Sequence, residues 1–267
     1  MSTELIPAID VHGHFGSYHR AGTPDFVNDF MTGEAHVVAQ RARAANIRLT
    51  IVSPLEALLP RGRGDALSGN RNAARIVAET PGLLQYVVID PREPKTFRQA
   101  EEMLQLPQCV GIKIHPEEHC YPINDFGEPM FEFAARHGAV VLSHSSEQNS
   151  LASDLVAWAD RFPEMRLILA HIGCGWDGDC THQVRGVQQS RQGNVFADTS
   201  SARSIMPNLI EWAVRQIGAD RVLFGTDAPL YVTCMQRARI DQADLSDAEK
   251  KRILYENAES LFNLQDR

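Results

Sequence analysis

The sequence predicts a (β/α)8 barrel, and three observations lead to this fold class. Eight short apolar runs alternate with eight longer amphipathic segments along the 267 residues. The short runs are apolar throughout, which is typical of parallel strands that are buried on both faces. Such a barrel needs about 250 residues, so one domain over residues 1–267 accounts for the whole chain.

Each apolar run is followed by a segment long enough for one helix. The predicted strands are residues 6–11, 49–53, 84–89, 110–114, 139–143, 166–170, 194–198 and 221–224. The predicted helices are residues 34–46, 70–79, 95–104, 126–137, 151–162, 177–190, 207–216 and 247–261. Eight such units in a chain of this length favour a closed barrel over an open doubly wound sheet. The loop at 59–69 is predicted to be the most mobile segment.

Composition and charge narrow the classes of function. The formal net charge of −8 argues against a nucleic-acid-binding protein, which needs a face rich in Lys and Arg. The sequence has neither a secretory leader pattern nor 18 consecutive apolar residues, so we expect a cytoplasmic protein without a membrane span. The five cysteines form no CxxC pair, which argues against a disulfide framework or a cysteine zinc site. We therefore expect a small-molecule substrate.

Four of the ten histidines fall at the carboxyl ends of predicted strands. His12 and His14 close the first strand, His144 follows the fifth and His171 follows the sixth. Asp227 follows the eighth strand. Because these strand ends converge at one mouth of a barrel, we expect the five side chains to meet there.

The pair His12 and His14 points to a divalent metal. Residues two apart on a strand project to the same side, about 6.6–6.8 Å from each other, and two imidazoles so placed can bind one ion. The pattern alone is equally consistent with packing. With His144 and Asp227 added, a metal site becomes the better interpretation, because several buried histidines at strand ends need a common reason.

Two of these residues carry alternative interpretations. Asp227 could be the N-cap of the following helix, but beside the histidines we favour ligation and proton transfer. His171 could bind a second ion or polarise a substrate. The less favoured alternative for His171 is a core histidine bonded to a backbone carbonyl.

Three further residues are candidates for substrate binding. Lys113 and His115 end the fourth strand and share a face. Lys113 could bind a substrate carboxylate, could be carboxylated and bridge two ions, or could simply extend to the mouth. Arg203, in the loop after the seventh strand, could bind an anionic group, although a solvated loop arginine is at least as consistent.

The remaining histidines are expected to be exposed in loops or helices. His19 and His119 could still reach the mouth. The full set is His19, His36, His119, His137 and His182. The segment CGWDGDC, residues 174–180, is expected to be a loop without a catalytic role.

Six motifs resemble the amidohydrolase superfamily, in the same order over nearly the whole chain. They are IDVHGHFG, GIKIHP, VLSHSS, LILAHIGCG, NVFADTSSA and RVLFGTDAPL. The likeness is greatest to the amidohydrolase-related branch, which also contains metal-dependent decarboxylases. Ser145-Ser146 stands where this family often has Thr-Gly, so the likeness does not indicate how this loop selects a substrate.

The resemblance implies a distorted TIM barrel that holds one or two divalent ions, commonly zinc. It implies His12, His14, His144 and Asp227 as ligands, with Asp227 also acting as acid and base. His171 would be a ligand when two ions are present and a catalytic group when one is. Lys113 occupies the strand where two-metal members carry a carboxylated lysine. Relatives commonly form dimers or larger assemblies, so a homo-oligomer stays open.

The main functional prediction is a metal-dependent hydrolase for an amide, lactone or ester of a small polar acid. A bound Zn²⁺ lowers the pKa of its water from 15.7 to about 7, and Asp227 would take the proton as that water attacks. One alternative is a decarboxylase of a small carboxylic acid that uses the same site. Another is a metal-binding protein without turnover, which the water-activating carboxylate Asp227 argues against.

Overall fold

The computed structural model describes residues 5–265 and confirms the (β/α)8 barrel. Eight parallel strands follow one another around the sheet in chain order, β1 to β8. They are β1 (Ala8–Phe15), β2 (Ile47–Pro54), β3 (Leu83–Val88), β4 (Cys109–Ile114), β5 (Val140–Ser143), β6 (Arg166–Leu169), β7 (Val195–Asp198) and β8 (Val222–Leu223). Each corresponds to one of the apolar runs in the sequence.

Helices connect the strands and cover the outside of the sheet. They are α1 (Asp25–Phe30), α2 (Ala35–Ala44), α3 (Ala66–Ala78), α4 (Lys95–Met103), α5 (Ile123–Arg136), α6 (Ala152–Arg161), α7 (His182–Gln189), α8 (Leu209–Ile217), α9 (Thr233–Asp241), α10 (Asp247–Lys251) and α11 (Asn257–Leu261). The last predicted helix is interrupted by a π-helical turn at Arg252–Glu256, between α10 and α11.

Two helices are absent from the sequence-based prediction, α1 and α9. The first has only six residues. The second buries polar side chains, including Gln236 and Arg237, and so lacks the apolar periodicity that identifies an amphipathic helix. Arg237 donates to the carbonyls of Ile6 and Asn46, at 2.7 and 3.2 Å, which accounts for its burial.

The barrel closes between β8 and β1 through backbone hydrogen bonds that lie beside the site. The amide of Val11 donates to the carbonyl of Phe224 at 2.9 Å. The amide of Asp227 donates to the carbonyl of His12 at 2.7 Å, and that of His14 to the carbonyl of Ala228 at 2.6 Å. The residues that close the sheet are therefore neighbours of the candidate metal ligands.

The loop predicted to be mobile, 59–69, is partly ordered by its neighbours. Its last residues form the start of α3, with the Asp65 side chain accepting from the amide of Ser68 at 2.9 Å. The guanidinium of Arg61 pairs with Glu118 at 2.8 Å, and the amide of Gly62 donates to the Glu118 carbonyl at 2.6 Å. These contacts attach the loop to the segment that follows β4.

Candidate active site

The structure brings His12, His14 and Asp227 together at the carboxyl ends of β1 and β8. Nε2 of His14 lies 3.2 Å from Oδ1 of Asp227, and Nε2 of His12 lies 3.6 Å from the same oxygen. All three side chains are buried, and their donor atoms lie within 4.8 Å of one another. Two imidazoles and one carboxylate at this spacing can hold a divalent cation.

The backbone has an unusual conformation just after β6 and just after β8. His171 and Asp227 have φ of 73° and 55°, in the left-handed region that residues with a side chain rarely adopt. Such conformations persist only where surrounding contacts impose them, and they concentrate at functional sites. Here the amide of His171 donates to Asp198 Oδ1 at 2.9 Å, and that of Asp227 to His12 as described above.

The second ring nitrogen, Nδ1, of His12 and of His14 contacts a hydrogen-bond acceptor outside the His12, His14 and Asp227 cluster. Nδ1 of His12 lies 2.8 Å from Oδ2 of Asp198, and Nδ1 of His14 lies 3.1 Å from the Ser53 carbonyl. Because these acceptors take the Nδ1–H, each ring turns the lone pair of Nε2 toward Asp227. This is the arrangement that metal-binding histidines require, so the residues present fit a divalent ion.

A second group of histidines lies next to the first. Nε2 of His144 contacts Oε1 of Glu147 at 3.0 Å, and Nδ1 of His144 faces Nε2 of His171 at 3.2 Å. The ring of His115 stacks on that of His144, with centroids 4.3 Å apart and planes inclined by 10°. His144 is outside the group formed by His12, His14 and Asp227, and its role as a ligand stays a prediction.

Burial and charge set the protonation of the site. Burial would raise the pKa of Asp227, but the surrounding rings of His14, His12 and His171 outweigh it and lower this pKa to about 2. Burial lowers the pKa of His171 to about 4 and that of His12 well below its usual value. At neutral pH His12 and His171 are thus neutral imidazoles and Asp227 is an ionised carboxylate, the forms that bind metals.

The three predicted substrate-binding residues are placed differently. His115 lines a cavity above the cluster. Lys113 is buried behind it with Nζ 3.0 Å from Nε2 of His12, and burial lowers its pKa to about 8. Arg203 is exposed and donates to the carbonyl of Gly178 at 3.3 Å, so this placement does not support contact with a substrate.

The cavity has a volume of about 270 Å³. Its lining includes the polar cluster, with His12, His14, His171 and Asp227, and the charged side chains of Arg20, Glu118 and Glu147. Apolar side chains also line it, namely Met31, Leu55, Leu58, Leu59 and Leu230. Since drug-sized ligands occupy pockets of about 300–1,000 Å³, this cavity suits a small molecule.

Sequence reasoning missed the residues that hold the histidines. Asp198 and Ser200 contact His12 and His171, while Asp10 accepts from the His12 amide at 3.0 Å. Asp10 and Asp198 each lie in a predicted strand, and a buried carboxylate in an apolar run was the available signal. The expectation that His119 is exposed is wrong, because it is buried and its Nε2–H donates to the Ala57 carbonyl at 2.9 Å.

A barrel with a buried His/His/Asp cluster at the carboxyl ends of its strands defines a metal-dependent class of enzyme. The family model described as amidohydrolase matches residues 9–264. The chain belongs to the amidohydrolase family. Within residues 5–265, no helix has the length and apolar character needed to cross a membrane.

Similar proteins with a named reaction are decarboxylases. The γ-resorcylate decarboxylase of Polaromonas sp. (strain JS666 / ATCC BAA-500) is 29% identical over an alignment of 121 residues, and the match covers 39% of this chain and 36% of that protein. The chain thus matches about a third of the length of this curated relative. Its activity and substrate are therefore not carried over to this chain by the match alone.

Solved structures give the same picture over the whole chain. A 2,6-dihydroxybenzoate decarboxylase from Rhizobium superposes with a TM-score of 0.74 at 15% identity, covering 97% of this chain and 99% of that one. A dihydroxybenzoic acid decarboxylase from Polaromonas sp. JS666, with bound manganese and 2-nitroresorcinol, has a TM-score of 0.74 at 16% identity and covers 98% of each chain. At these identities the superpositions show a shared fold.

These findings correct the main functional prediction from the sequence. A hydrolase for amides, lactones or esters is contradicted, because the curated relative and these structural neighbours are decarboxylases. An enzyme with a divalent metal is supported, whereas zinc in particular is not, since one neighbour holds manganese. The alternative prediction of a decarboxylase fits the findings better.

Proposed function

We propose that the chain is a metal-dependent decarboxylase of a small hydroxylated aromatic acid, of the dihydroxybenzoate type. The observation that carries the proposal is the buried carboxylate of Asp227, which lies against His12 and His14 at one wall of a small cavity. The decarboxylases named above, of the same fold, support this choice of reaction. The apolar side chains in the cavity lining offer packing for a single aromatic ring.

The proposed ligands are His12, His14 and Asp227, with His144 as a further candidate. We propose manganese as the ion, because the Polaromonas neighbour was solved with it. Zinc is the other ion that suits imidazole and carboxylate donors. When bound, a divalent cation supplies positive charge that polarises the carboxylate and hydroxyl oxygens of the substrate.

Asp227 is proposed to carry the proton. A carboxyl group with a pKa of about 2 is ionised at neutral pH, so Asp227 must take a proton before it can donate one. The hydroxyl beside the substrate carboxylate is a suitable source, since a nearby cation increases its acidity. Asp227 therefore acts first as a base and then as an acid.

The proton then moves to the ring carbon that carries the carboxylate. The bond from this carbon to the carboxylate breaks, its electron pair enters the ring and reaches the oxygen as phenolate, and CO₂ departs. The phenolate finally takes one proton from water. His171, whose pKa of about 4 keeps it neutral, lines the cavity without adding a competing charge.

The experiment is a direct comparison of products. Purified protein loaded with Mn²⁺ or Zn²⁺ is incubated with 2,6-dihydroxybenzoate and related hydroxybenzoates, and CO₂ and the phenol are quantified together. A parallel panel of amides, lactones and esters of the same acids is assayed for hydrolysis. We expect equal amounts of CO₂ and phenol from at least one acid. Metal-loaded, folded protein that releases CO₂ from none of these acids would overturn the proposal.

A further inference from the structure

Ser200 places a single hydroxyl between two imidazoles and a carboxylate. Its Oγ lies 2.9 Å from Nδ1 of His12 and 2.8 Å from Nδ1 of His171. The same hydroxyl donates to Oδ1 of Asp198. All four side chains are buried.

The number of protons available decides the direction of these bonds. A carboxylate only accepts, and a serine hydroxyl has one proton to give and two lone pairs. Oδ1 of Asp198 already accepts the amides of His171 and Ser200, each at 2.9 Å. The Ser200 hydroxyl donates its one proton to this same oxygen, because the carboxylate has no proton to give.

This assignment determines which ring nitrogen of His12 and of His171 carries the proton. The Nδ1–H of His12 donates to Oδ2 of Asp198 at 2.8 Å. The Ser200 hydroxyl has given its proton to Asp198, so toward His171 it can only accept. His171 must therefore carry its ring proton on Nδ1.

We propose that Ser200 is a positioning residue that fixes the proton of His171 on Nδ1 and turns the lone pair of Nε2 toward the site. His171 then acts through Nε2 as a ligand or a proton acceptor. It does not act as a hydrogen-bond donor to developing negative charge. Of the two roles that the sequence suggested for His171, this is compatible with binding an ion and differs from polarising a substrate.

The second histidine group agrees with this assignment. Nε2 of His171 faces Nδ1 of His144 at 3.2 Å, and Nε2 of His144 contacts the carboxylate of Glu147 at 3.0 Å. Since Glu147 takes the Nε2–H of His144, Nδ1 of His144 also presents a lone pair. Two lone pairs that face each other are stabilised by a cation, so the inference rests on the proposed metal site.

A competing arrangement reverses these hydrogen bonds. In it the Ser200 hydroxyl donates to His171 Nδ1, His171 donates from Nε2 to His144, and His144 donates to Glu147. This arrangement removes the hydrogen bond from Ser200 to Asp198. The two arrangements differ in the tautomer of one ring, which a spectrum can report.

The test uses zinc-loaded protein labelled with ¹⁵N-histidine, because zinc is diamagnetic. Two-bond ¹H–¹⁵N correlations identify the protonated nitrogen of each ring, and H171Q assigns the His171 signals. We expect the proton on Nδ1 in the wild type and in S200T, and a mixture of tautomers in S200A. The control S204A removes a buried hydroxyl that donates to the Ser201 carbonyl at 2.7 Å and touches no imidazole, so the His171 signals should not change.

Zinc affinity gives a second readout. S200A should bind zinc about 10–100-fold more weakly than the wild type, as expected when the partner of a metal-site histidine is lost. S200T should bind like the wild type. A proton on Nε2 of His171 in the wild type would overturn the inference, as would identical His171 signals in S200A and wild type. If S200A does not fold, the wild-type and S200T spectra decide the question.

The outcome is separable from that of the proposed reaction. Protein with the expected tautomer that releases no CO₂ from hydroxybenzoates would remove the decarboxylase proposal and leave the role of Ser200 intact. Protein that releases CO₂ with the proton of His171 on Nε2 would do the reverse.

Discussion

The ammonium nitrogen of Lys113 lies 3.0 Å from Nε2 of His12, the ring nitrogen that also faces Asp227. A buried positive charge at this point repels a divalent cation. Removing it as K113M should therefore tighten metal binding, on the order of tenfold, measured by calorimetry on metal-free protein. The exposed Lys95 provides the control K95M, which should bind like the wild type.

The same experiment tests carboxylation of Lys113. A carboxylated lysine would contribute negative charge and ligand oxygens, so K113M would then bind metal more weakly. Intact mass spectrometry under CO₂-saturated conditions would show the added group. Weaker binding by K113M would contradict the expectation of an ammonium at this position.

Asp227 should be needed for turnover more than for folding. D227N keeps the size of the side chain but removes the charge that binds metal and accepts a proton. We expect CO₂ release to fall by at least about 100-fold, whereas the metal-free variant should still fold, with a lower melting temperature because the folded state favours the charged form of Asp227. D177N, at an exposed loop carboxylate that pairs with His182, is the matched control. Full activity in D227N would contradict both proposed roles of this residue.

Glu147 should influence the metal through His144. In E147A, Nε2 of His144 loses its carboxylate acceptor, and the ring is free to change orientation. If His144 is a ligand, metal affinity should fall by about 10–100-fold. E128A removes an exposed carboxylate that pairs with Arg161 and should leave affinity unchanged. Equal affinities of E147A and wild type would place His144 outside the ligand set.

The burial of His119 should make the fold sensitive to acid. Burial lowers the pKa of this ring below its ordinary value of 6.5, so the unfolded chain takes up a proton that the folded chain does not. This contribution to stability is present above about pH 6.5 and is lost as the pH falls below it. H119Q, which can still donate to the Ala57 carbonyl, should lose less stability than the wild type between neutral and acidic pH in urea titrations. H36Q, at an exposed histidine, should behave like the wild type.

Gly13 leaves room for the packing of β1 against β2. A Cβ atom at this position would lie 2.6 Å from Cγ2 of Thr50 and 3.3 Å from Cγ1 of Val52. G13A should therefore destabilise the fold by about 1–3 kcal/mol in chemical unfolding. The double variant G13A/T50S removes the nearest methyl group and should recover most of the loss. No recovery would mean that the clash is not the cause.

The strand pattern was predictable from the sequence because both faces of each strand are buried. The site was partly predictable for a related reason. His12, His14 and Asp227 follow apolar runs, and the geometry of a barrel brings such positions to one end. The position of a residue at the end of a strand does not show how deep in the barrel its side chain lies. For this reason Lys113 was expected at the mouth, whereas it is buried behind His12.

The outer partners of the histidines could not be derived from spacing. Asp198 reaches His12 across 186 positions of sequence, and Ser200 is one of several serines in the same loop. Only the closure of the sheet brings Asp198 and Ser200 next to the histidines. The helix α9 was not predicted because its buried face is largely polar. The burial of His119 was not predicted because its hydrogen-bond partner, the Ala57 carbonyl, is a backbone group that the sequence does not indicate.

The closure of the sheet and the proposed ligands share the same two residues. Asp227 and His12 are joined by a backbone hydrogen bond of 2.7 Å, and their side chains converge on one point. An ion held there adds a second link between the β1 and β8 segments, where the sheet closes, and stabilises the folded chain by mass action. A cell deprived of the metal would therefore lose more than catalysis, since a larger share of the chains would be unfolded and exposed to proteolysis. The amount of enzyme would then depend on the supply of its ion.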